Sequence, residues 1–241
     1  MDNEVFSFKH FKVFHGHSSM KVGVDAVLLG SWTEAKHDIK NILDIGTGCG
    51  VISLILAQRF TSAKVTGIDI DEASVREASV NFKRSDWCER IEVRKSCFPD
   101  DILKSSELYD LVVSNPPYFN SGIANPVTPR EKARHQGRLS VFSIIENISP
   151  LLNKDGLLSV IYPFEYRRDV IKKAQENYMR IKRECQIKNR INRPVKRVMM
   201  EIQKAKTPFS SNWDIEELIL FENDKPTEKY RQLCKDLYLK F

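Results

Sequence analysis

The chain has 241 residues, of which 41% are hydrophobic and 29% charged, and a formal net charge of +6. That length and balance fit one α/β domain, or one domain with small extensions, with enough apolar residues for a sizeable core. They exclude an apolar membrane-spanning helix, because no run of about 18 apolar residues occurs, and MDNEVFSFKHFK lacks the basic-then-apolar pattern of a secretory signal.

Five cysteines are scattered at Cys49, Cys88, Cys97, Cys185 and Cys234, with no C-x-x-C and no zinc spacing. They read as free thiols of a cytoplasmic protein with no metal site. The charge is unevenly spread. Residues 166–206 hold 14 Lys/Arg against 4 Asp/Glu, a surplus of 10, so the remainder sums to −4. A basic block beside a mildly acidic body suggests a polyanionic partner, although a solvated helix face and hairpin would look the same.

In chain order, NILDIG (41–46) is an apolar run broken by glycine, hence a strand. VISLILAQRF (51–60) is apolar at helical length, and KVTGIDID (64–71) is a second strand. The spacing predicts a helix over 72–87, with Asp71 as its N-cap and Glu72 in its first turn. Strands follow at 90–97 and 109–115. Residues 120–138 are turn formers without a period, a long loop of the kind that carries function. A helix at 139–152, a strand at 156–164 and a helix at 165–178 come next, then two strand-like runs joined by RINRP. The last segment, from residue 216, reads as a short strand, a turn and a C-terminal helix. This alternation predicts an α/β fold with a doubly wound, mostly parallel sheet, ending in a β-hairpin and helix.

Two constellations fall at predicted strand ends. The first is Asp44-Ile-Gly46-Thr-Gly48-Cys-Gly50, which joins the first clear strand to the first clear helix. Glycines there let the backbone turn tightly and approach a ligand. The pattern D-x-G-x-G-x-G is not the dinucleotide G-x-G-x-x-G. Its carboxylate suits a ligand with a positive end, and S-adenosylmethionine carries an ammonium and a sulfonium. Asp69 ends the next strand, 23 residues past Gly46, an offset from which an acid can bond both ribose hydroxyls. Ile70 would pack on an adenine. The third strand ends at Cys97-Phe98, and Phe98 would cover the other face of the ring. Each residue alone also reads as a turn or a cap; the combination is what points to a nucleoside ligand.

The second constellation is Asn115-Pro116-Pro117-Tyr118, which ends the strand LVVS. Consecutive prolines forbid a continuing ladder. The Asn115 side-chain carbonyl and the Pro116 carbonyl are two acceptors on a stiff turn, and Tyr118 is a flat face. Together they suit a planar group bearing –NH₂, either an adenine or a carboxamide. The bland alternative is a rigid turn with a buried asparagine.

These motifs resemble those of class I S-adenosylmethionine-dependent methyltransferases of the NPPY type, and most closely the bacterial valine-tRNA adenine-N6 methyltransferase family. Besides LDIGTGCGVISLILAQR and VVSNPPYF, the more specific segments MKVGVDAVLLGSW (20–32), RHQGRLS and RINRPVKRVMMEI are similar to that family's, so the likeness spans nearly the whole chain. It implies a Rossmann-like methyltransferase fold with a seven-stranded sheet. It implies one domain over 1–241, with an entry segment at 1–35, a catalytic core at 40–206 and a C-terminal extension at 207–241. The activity implied is methyl transfer from S-adenosylmethionine to N6 of an adenine in tRNA, at position 37 of a valine tRNA.

By the same resemblance, Lys21, Val24 and Asp25 would lie beside the methionine part of the cofactor. Asp44, Gly46, Gly48 and Gly50 would hold its amino-acid end. Asp69, Ile70, Cys97 and Phe98 would surround its nucleoside, and Asn115, Pro116, Pro117 and Tyr118 would hold the target base, with Asn115 also contacting the cofactor. Many relatives carry Thr where this chain has Val24. For Lys21 and Asp25, helix capping and a surface ion pair are the alternative. The candidate RNA contacts are Arg130, Arg134, His135, Arg138, Lys188, Arg190, Arg193, Lys196 and Arg197; His135 reads equally as a loop-packing residue. Phe6, Phe8, Phe11 and Phe14 read as core rather than stacking platforms.

Other readings are weaker. Protein-glutamine N5 methyltransferases usually carry an N-terminal helical domain, and only about 20 residues precede the entry segment here. Ribosomal guanine-N2 enzymes often carry an extra domain copy, and DNA adenine enzymes a target-recognition region. A hydride-transfer enzyme fails on glycine spacing. A non-catalytic RNA-binding module would need only the basic hairpin at 179–206.

Overall fold

The computed structural model describes residues 4–18, 21–34, 39–117, 139–204 and 212–241. The amino end forms a two-stranded antiparallel ribbon, β1 (Val5–Ser7) with β2 (Lys12–Phe14), followed by α1 (Val24–Trp32). Four strands then alternate with helices or turns: β3 (Asn41–Ile45), α2 (Val51–Arg59), β4 (Lys64–Asp69), α3 (Glu72–Lys83), β5 (Ile91–Lys95) and β6 (Tyr109–Ser114). After residue 139 come α4 (Val141–Asn147), β7 (Leu152–Pro163), α5 (Arg167–Glu176), β8 (Met179–Arg190), β9 (Val195–Lys204), β10 (Asp214–Glu222), β11 (Lys225–Pro226) and α6 (Glu228–Cys234).

Local chemistry sets these bounds. Asp71 caps α3 by accepting from the Ser74 backbone N–H at 2.9 Å, as its position predicts. The helix ends at Lys83, four residues earlier than the spacing suggests, and Cys88–Arg90 forms a 3₁₀ turn. Ser140 and Ser143 make a reciprocal capping box at the start of α4. Pro150 lies in a 3₁₀ turn after α4, so β7 begins earlier than expected, at Leu152.

The strands form one sheet in the order β11-β10-β8-β9-β7-β6-β3-β4-β5. β7, β6, β3, β4 and β5 are mutually parallel. β9 runs antiparallel to β7 and to β8. The seven strands from β5 to β8 are those the sequence implies. Two more extend the sheet, because β10 pairs parallel to β8, with Leu218 opposite Ile187, and β11 folds back on β10. Leu218 and Leu220 are buried against α6 and α1 in one apolar layer, which explains why the C-terminal strand joins the sheet.

That layer contains Leu28 of α1, Leu54 of α2, Phe82 of α3 and Tyr230 of α6; Ile144 of α4 and Val170 of α5 lie in the layer on the opposite face. Phe8 and Phe11 are buried, with their rings 4.6 Å apart, and Phe8 stacks on Tyr238. These two phenylalanines are core residues that tie the ribbon to the C-terminal segment. Among the described residues no helix is long and apolar enough to cross a membrane.

The sheet order reverses between β3, flanked by β4, and its other neighbour β6. In such sheets the crevice at the carboxyl ends of the reversal strands is where ligands bind. Both motif-bearing turns leave the sheet there.

Candidate active site

The site is assembled by bonds between consecutive strand ends. The Ser114 hydroxyl donates to the Ile45 carbonyl at 2.7 Å, fixing β6 to β3. The N–H groups of Gly46 and Thr47 donate to the Ile68 carbonyl at 2.9 and 3.0 Å, fixing the glycine turn to β4. The Ser96 N–H donates to the Asp69 carbonyl at 3.0 Å, fixing the exit of β5. Asn115, one residue past β6, therefore leaves the sheet beside Gly46.

The glycine turn requires glycine for two separate reasons. Gly46, Gly48 and Gly50 all have positive φ, at 72°, 56° and 85°. A Cβ on Gly50 would also lie 2.3 Å from the Phe82 ring, so close packing of α3 on the turn depends on its absence. A Cβ on Gly48 would meet nothing within 4 Å. That position faces open space, as a ligand-facing backbone must.

Asp44 is fully buried at the end of β3. One of its oxygens, Oδ2, accepts from the Thr47 and Ser53 hydroxyls, both at 2.7 Å. The other, Oδ1, is buried with no hydrogen-bond partner among the described residues. Burial raises the carboxyl from its ordinary 3.8 to about 6, against the lowering effect of the two hydroxyls. An unsatisfied buried acceptor of this kind calls for a cation or a strong donor. The ammonium of S-adenosylmethionine meets that need, so the residues present fit the cofactor.

Asp69 holds its carboxylate by two backbone donors. Oδ2 accepts from Gly48 at 2.9 Å and Oδ1 from Asp71 at 2.9 Å. Each oxygen keeps a further lone pair for a ribose hydroxyl. Beside it, Ile45, Gly46, Ile68, Ile70, Ser96, Cys97, Phe98 and Leu139 line one shallow, open cleft with Asp69. Ile70 is 62% exposed, an apolar side chain awaiting a partner, whereas Phe98 is buried in the wall. The predicted adenine neighbours are thus brought together. Cys97 also lines the cleft, and its N–H is bonded to Asp101 at 2.9 Å.

Lys21 and Val24 are exposed at the amino end of α1, and Asp25 lies in its first turn. Asp25 is ion-paired with Arg197, so the ion-pair alternative for this residue describes a real contact, although the pair is largely buried rather than on the surface. Pro116 is buried and Pro117 exposed. Tyr118, Arg130, Arg134, His135 and Arg138 lie outside the described residues.

The basic block is less free than its composition suggests. Arg167 grips the buried Glu184 through two bonds of 2.7 and 2.9 Å, and Arg183 holds the buried Glu201 at 2.8 Å. Among the candidate RNA contacts, Lys188 pairs with Glu217 at 2.6 Å, Arg190 with Asp224 at 2.7 Å, and Arg197 with Asp25. Arg193 and Lys196 are exposed, and with Asn189 and Arg190 they line an open concavity at the hairpin tip. Pro163 at the carboxyl end of β7 faces Arg197 across the ladder, so this tip projects from the same sheet edge as the glycine turn.

Sequence reasoning missed four positioning residues. Thr47 and Ser53 satisfy half of Asp44; a hydroxyl three residues after a buried acid was a readable signal. Glu77 accepts from the N–H groups of His17 and Ser18 at 2.9 and 2.8 Å. Asn81 bonds both backbone groups of Phe14 and the carbonyl of Cys49. One turn apart on a largely buried helix face, these two polar side chains clamp the entry chain to the glycine turn. Among the described residues no group of three His, Cys, Asp or Glu is arranged to hold a metal ion.

Comparison with known proteins agrees with this geometry. Residues 17–188 match the family described as methyltransferase small domain. The tRNA1(Val) (adenine(37)-N6)-methyltransferase of Parabacteroides distasonis is 36% identical over 242 residues, covering 100% of both chains. Those of Trichodesmium erythraeum and Bacteroides thetaiotaomicron are 36% and 34% identical, covering 100% and 99% of both chains. Among solved structures, a predicted O-methyltransferase from Agrobacterium tumefaciens superposes with a TM-score of 0.66 at 20% identity, over 88% of this chain and 96% of that one. The ribosomal protein L11 methylase of Lactobacillus delbrueckii gives 0.56 at 17% identity, over 80% and 84%. Those two likenesses establish the Rossmann-like methyltransferase fold. With residues 17–188 matching the family and full-length identity above 30%, the chain belongs to the S-adenosylmethionine-dependent methyltransferase small-domain family, in its tRNA1(Val) (adenine(37)-N6)-methyltransferase branch.

Proposed function

We propose that this protein methylates the exocyclic N6 of adenine 37 in a tRNA1(Val), with S-adenosylmethionine as methyl donor. The observation that carries the reading is the end-to-end identity, 36% over 242 residues, to a relative so named. The site chemistry agrees with it. When bound, the cofactor would supply an electrophilic methyl group on a sulfonium, whose carbon–sulfur bond breaks to leave a neutral thioether as that group is transferred.

Asp44 orients the cofactor's amino-acid end, and Asp69 with Ile70 and Phe98 holds its nucleoside. Asn115 and Pro116 present carbonyl acceptors on the turn that leaves β6 beside Gly46. Acceptors on the two N–H bonds of an aryl amine draw its nitrogen toward sp³, freeing a lone pair otherwise delocalised into the ring. They also stabilise the positive charge that develops there as the C–N bond forms, and the surplus proton leaves to water. This is positioning plus electrostatic stabilisation, and it requires no strong base. A base in an anticodon loop is already unpaired, which keeps the cost of seating it low.

Arg193 and Lys196, on the tip that shares the edge with the site, are the phosphate contacts favoured by their exposure. The substrate places the work in the cytoplasm. The test is methyl transfer to two tRNA1(Val) transcripts, one with adenine and one with guanine at position 37. Transfer to the first alone is expected; equal transfer to both would contradict the assignment.

A further inference from the structure

The sequence assigns Asp25 to the cofactor and Arg197 to RNA, yet the two side chains meet. Arg197 lies on β9, opposite Ile187 of β8 and Pro163 of β7. One arm of its guanidinium donates to Asp25 Oδ1 and another to Asn189 Oδ1. The paired side chains are 18% and 17% exposed, so the contact is largely desolvated rather than a surface pair. The Nε–H of Arg197 is buried without an acceptor among the described residues. A guanidinium turned inward in this way is poorly placed to meet a phosphate.

Where the pair sits gives it a role. His17 and Ser18 are bonded to Glu77 of α3, and Phe14 to Asn81, which also binds Cys49 of the glycine turn. The chain thus enters on the β3 side. By Asp25 it has reached β9 and the carboxyl end of β7. The carboxyl end of β7 belongs to the same sheet edge as the turns at Gly46 and Asn115, so the amino end of α1 sits at that edge. From Asp25, α1 runs down the sheet, with the Thr33 hydroxyl bonded to that of Ser159 at 2.8 Å and the Glu34 N–H to Glu201 at 2.7 Å. The far end of α1 is therefore anchored on β7 and β9 independently, and Arg197 anchors its near end.

We propose that Arg197 is a positioning residue for cofactor binding: through Asp25 it holds the amino end of α1 at the sheet edge that carries the cofactor cleft. It acts on the cofactor through Asp25, not on RNA. The inference rests on S-adenosylmethionine as the ligand of that cleft.

The experiment is calorimetric titration of the RNA-free protein with S-adenosylmethionine, for wild type, Arg197→Ala, Arg197→Lys, Asp25→Asn and the Arg197→Ala/Asp25→Asn double variant. Salt-dependent tRNA binding is measured in parallel. Arg197→Ala is expected to raise the cofactor dissociation constant by about tenfold, and Arg197→Lys to recover part of it. The double variant is expected to bind no more weakly than Asp25→Asn alone, and the salt slope to stay at the wild-type value. Unchanged cofactor affinity in Arg197→Ala, with a salt slope smaller by about one, would make Arg197 a phosphate contact and overturn the proposal. Multiplying effects in the double variant would also overturn it. Arg197→Gln, which keeps length and a donor but loses the charge, carries the same comparison should the alanine variant not fold. Absence of binding by the wild type would instead remove the cofactor assignment on which the proposal rests.

Discussion

The backbone N–H of Gly48 donates to Oδ2 of Asp69 at 2.9 Å, so the tip of the glycine turn and the end of the neighbouring strand fix each other. The contact joins the two sides of the proposed cofactor cleft. Asp69→Ala removes the ribose acceptors and frees the turn, and should weaken S-adenosylmethionine binding by about tenfold to a hundredfold. Asp69→Asn keeps one acceptor oxygen and should lose less. Equilibrium binding of the purified variants measures both, and equal affinity in Asp69→Ala and wild type would contradict the assignment.

If Asp44 holds the cofactor's ammonium as proposed, cofactor binding is pH-dependent. The Asp44 carboxyl, raised by burial to about 6 in the free protein, must be ionised to hold an ammonium. Binding should therefore weaken as pH falls below about 6, by up to about tenfold per unit, with protons released on binding in that range. Stability of the cofactor-free protein runs the other way. A carboxyl that binds its proton more tightly folded than unfolded favours the native state at low pH, and this contribution fades as pH rises from about 4 to about 6. Asp44→Asn should flatten both dependences, read by titrations and melting curves at pH 5, 6 and 7.

Gly50→Ala should destabilise the fold by about 2 kcal/mol or more, because it combines a left-handed backbone with a side chain driven into the Phe82 ring. Gly48→Ala carries only the backbone cost and meets no neighbouring atom. Its melting temperature should fall less, while its cofactor affinity suffers because the added methyl points into the ligand's space. Denaturant unfolding of the two variants separates these effects.

Asn115→Ala should lower kcat by about 10²–10³-fold while leaving the cofactor dissociation constant near that of wild type, since it removes an acceptor felt most strongly as charge develops on the amine. Single-turnover transfer with saturating tRNA gives the rate, and calorimetry the affinity. A proportionate loss of cofactor binding would move Asn115 from the target side of the site to the cofactor side.

Much of this was legible because it depends on local sequence. An apolar run stopped by glycine gives β3 and its turn, and one stopped by two prolines gives β6 and Asn115; both leave the sheet where their spacing implies. That Asp69, Ile70 and Phe98 share one cleft was legible for the same reason, since Asp69 ends β4 and Ile70 and Phe98 come just after strands. What escaped depends on tertiary pairing. The partner of Arg197 is 172 residues away, and nothing local marks Asp25 as its counter-ion. The net charge of residues 166–206 overstates the free cations there, since Arg167 and Arg183 pair with buried glutamates of one hairpin. Glu77 and Asn81 look like ordinary helix-surface residues until the ribbon packs on them. The join of β10 to β8 is a parallel pairing between distant segments, which periodicity alone does not reveal.

The central claim is that the planar group seated at Asn115 is adenine 37 of a valine tRNA. The most direct measurement incubates the purified protein and labelled S-adenosylmethionine with total RNA and total protein from cells lacking this enzyme, then analyses nucleosides and amino acids. The account predicts label in N6-methyladenosine, confined to position 37 of tRNA1(Val). Label in N5-methylglutamine, with none in N6-methyladenosine, would contradict it.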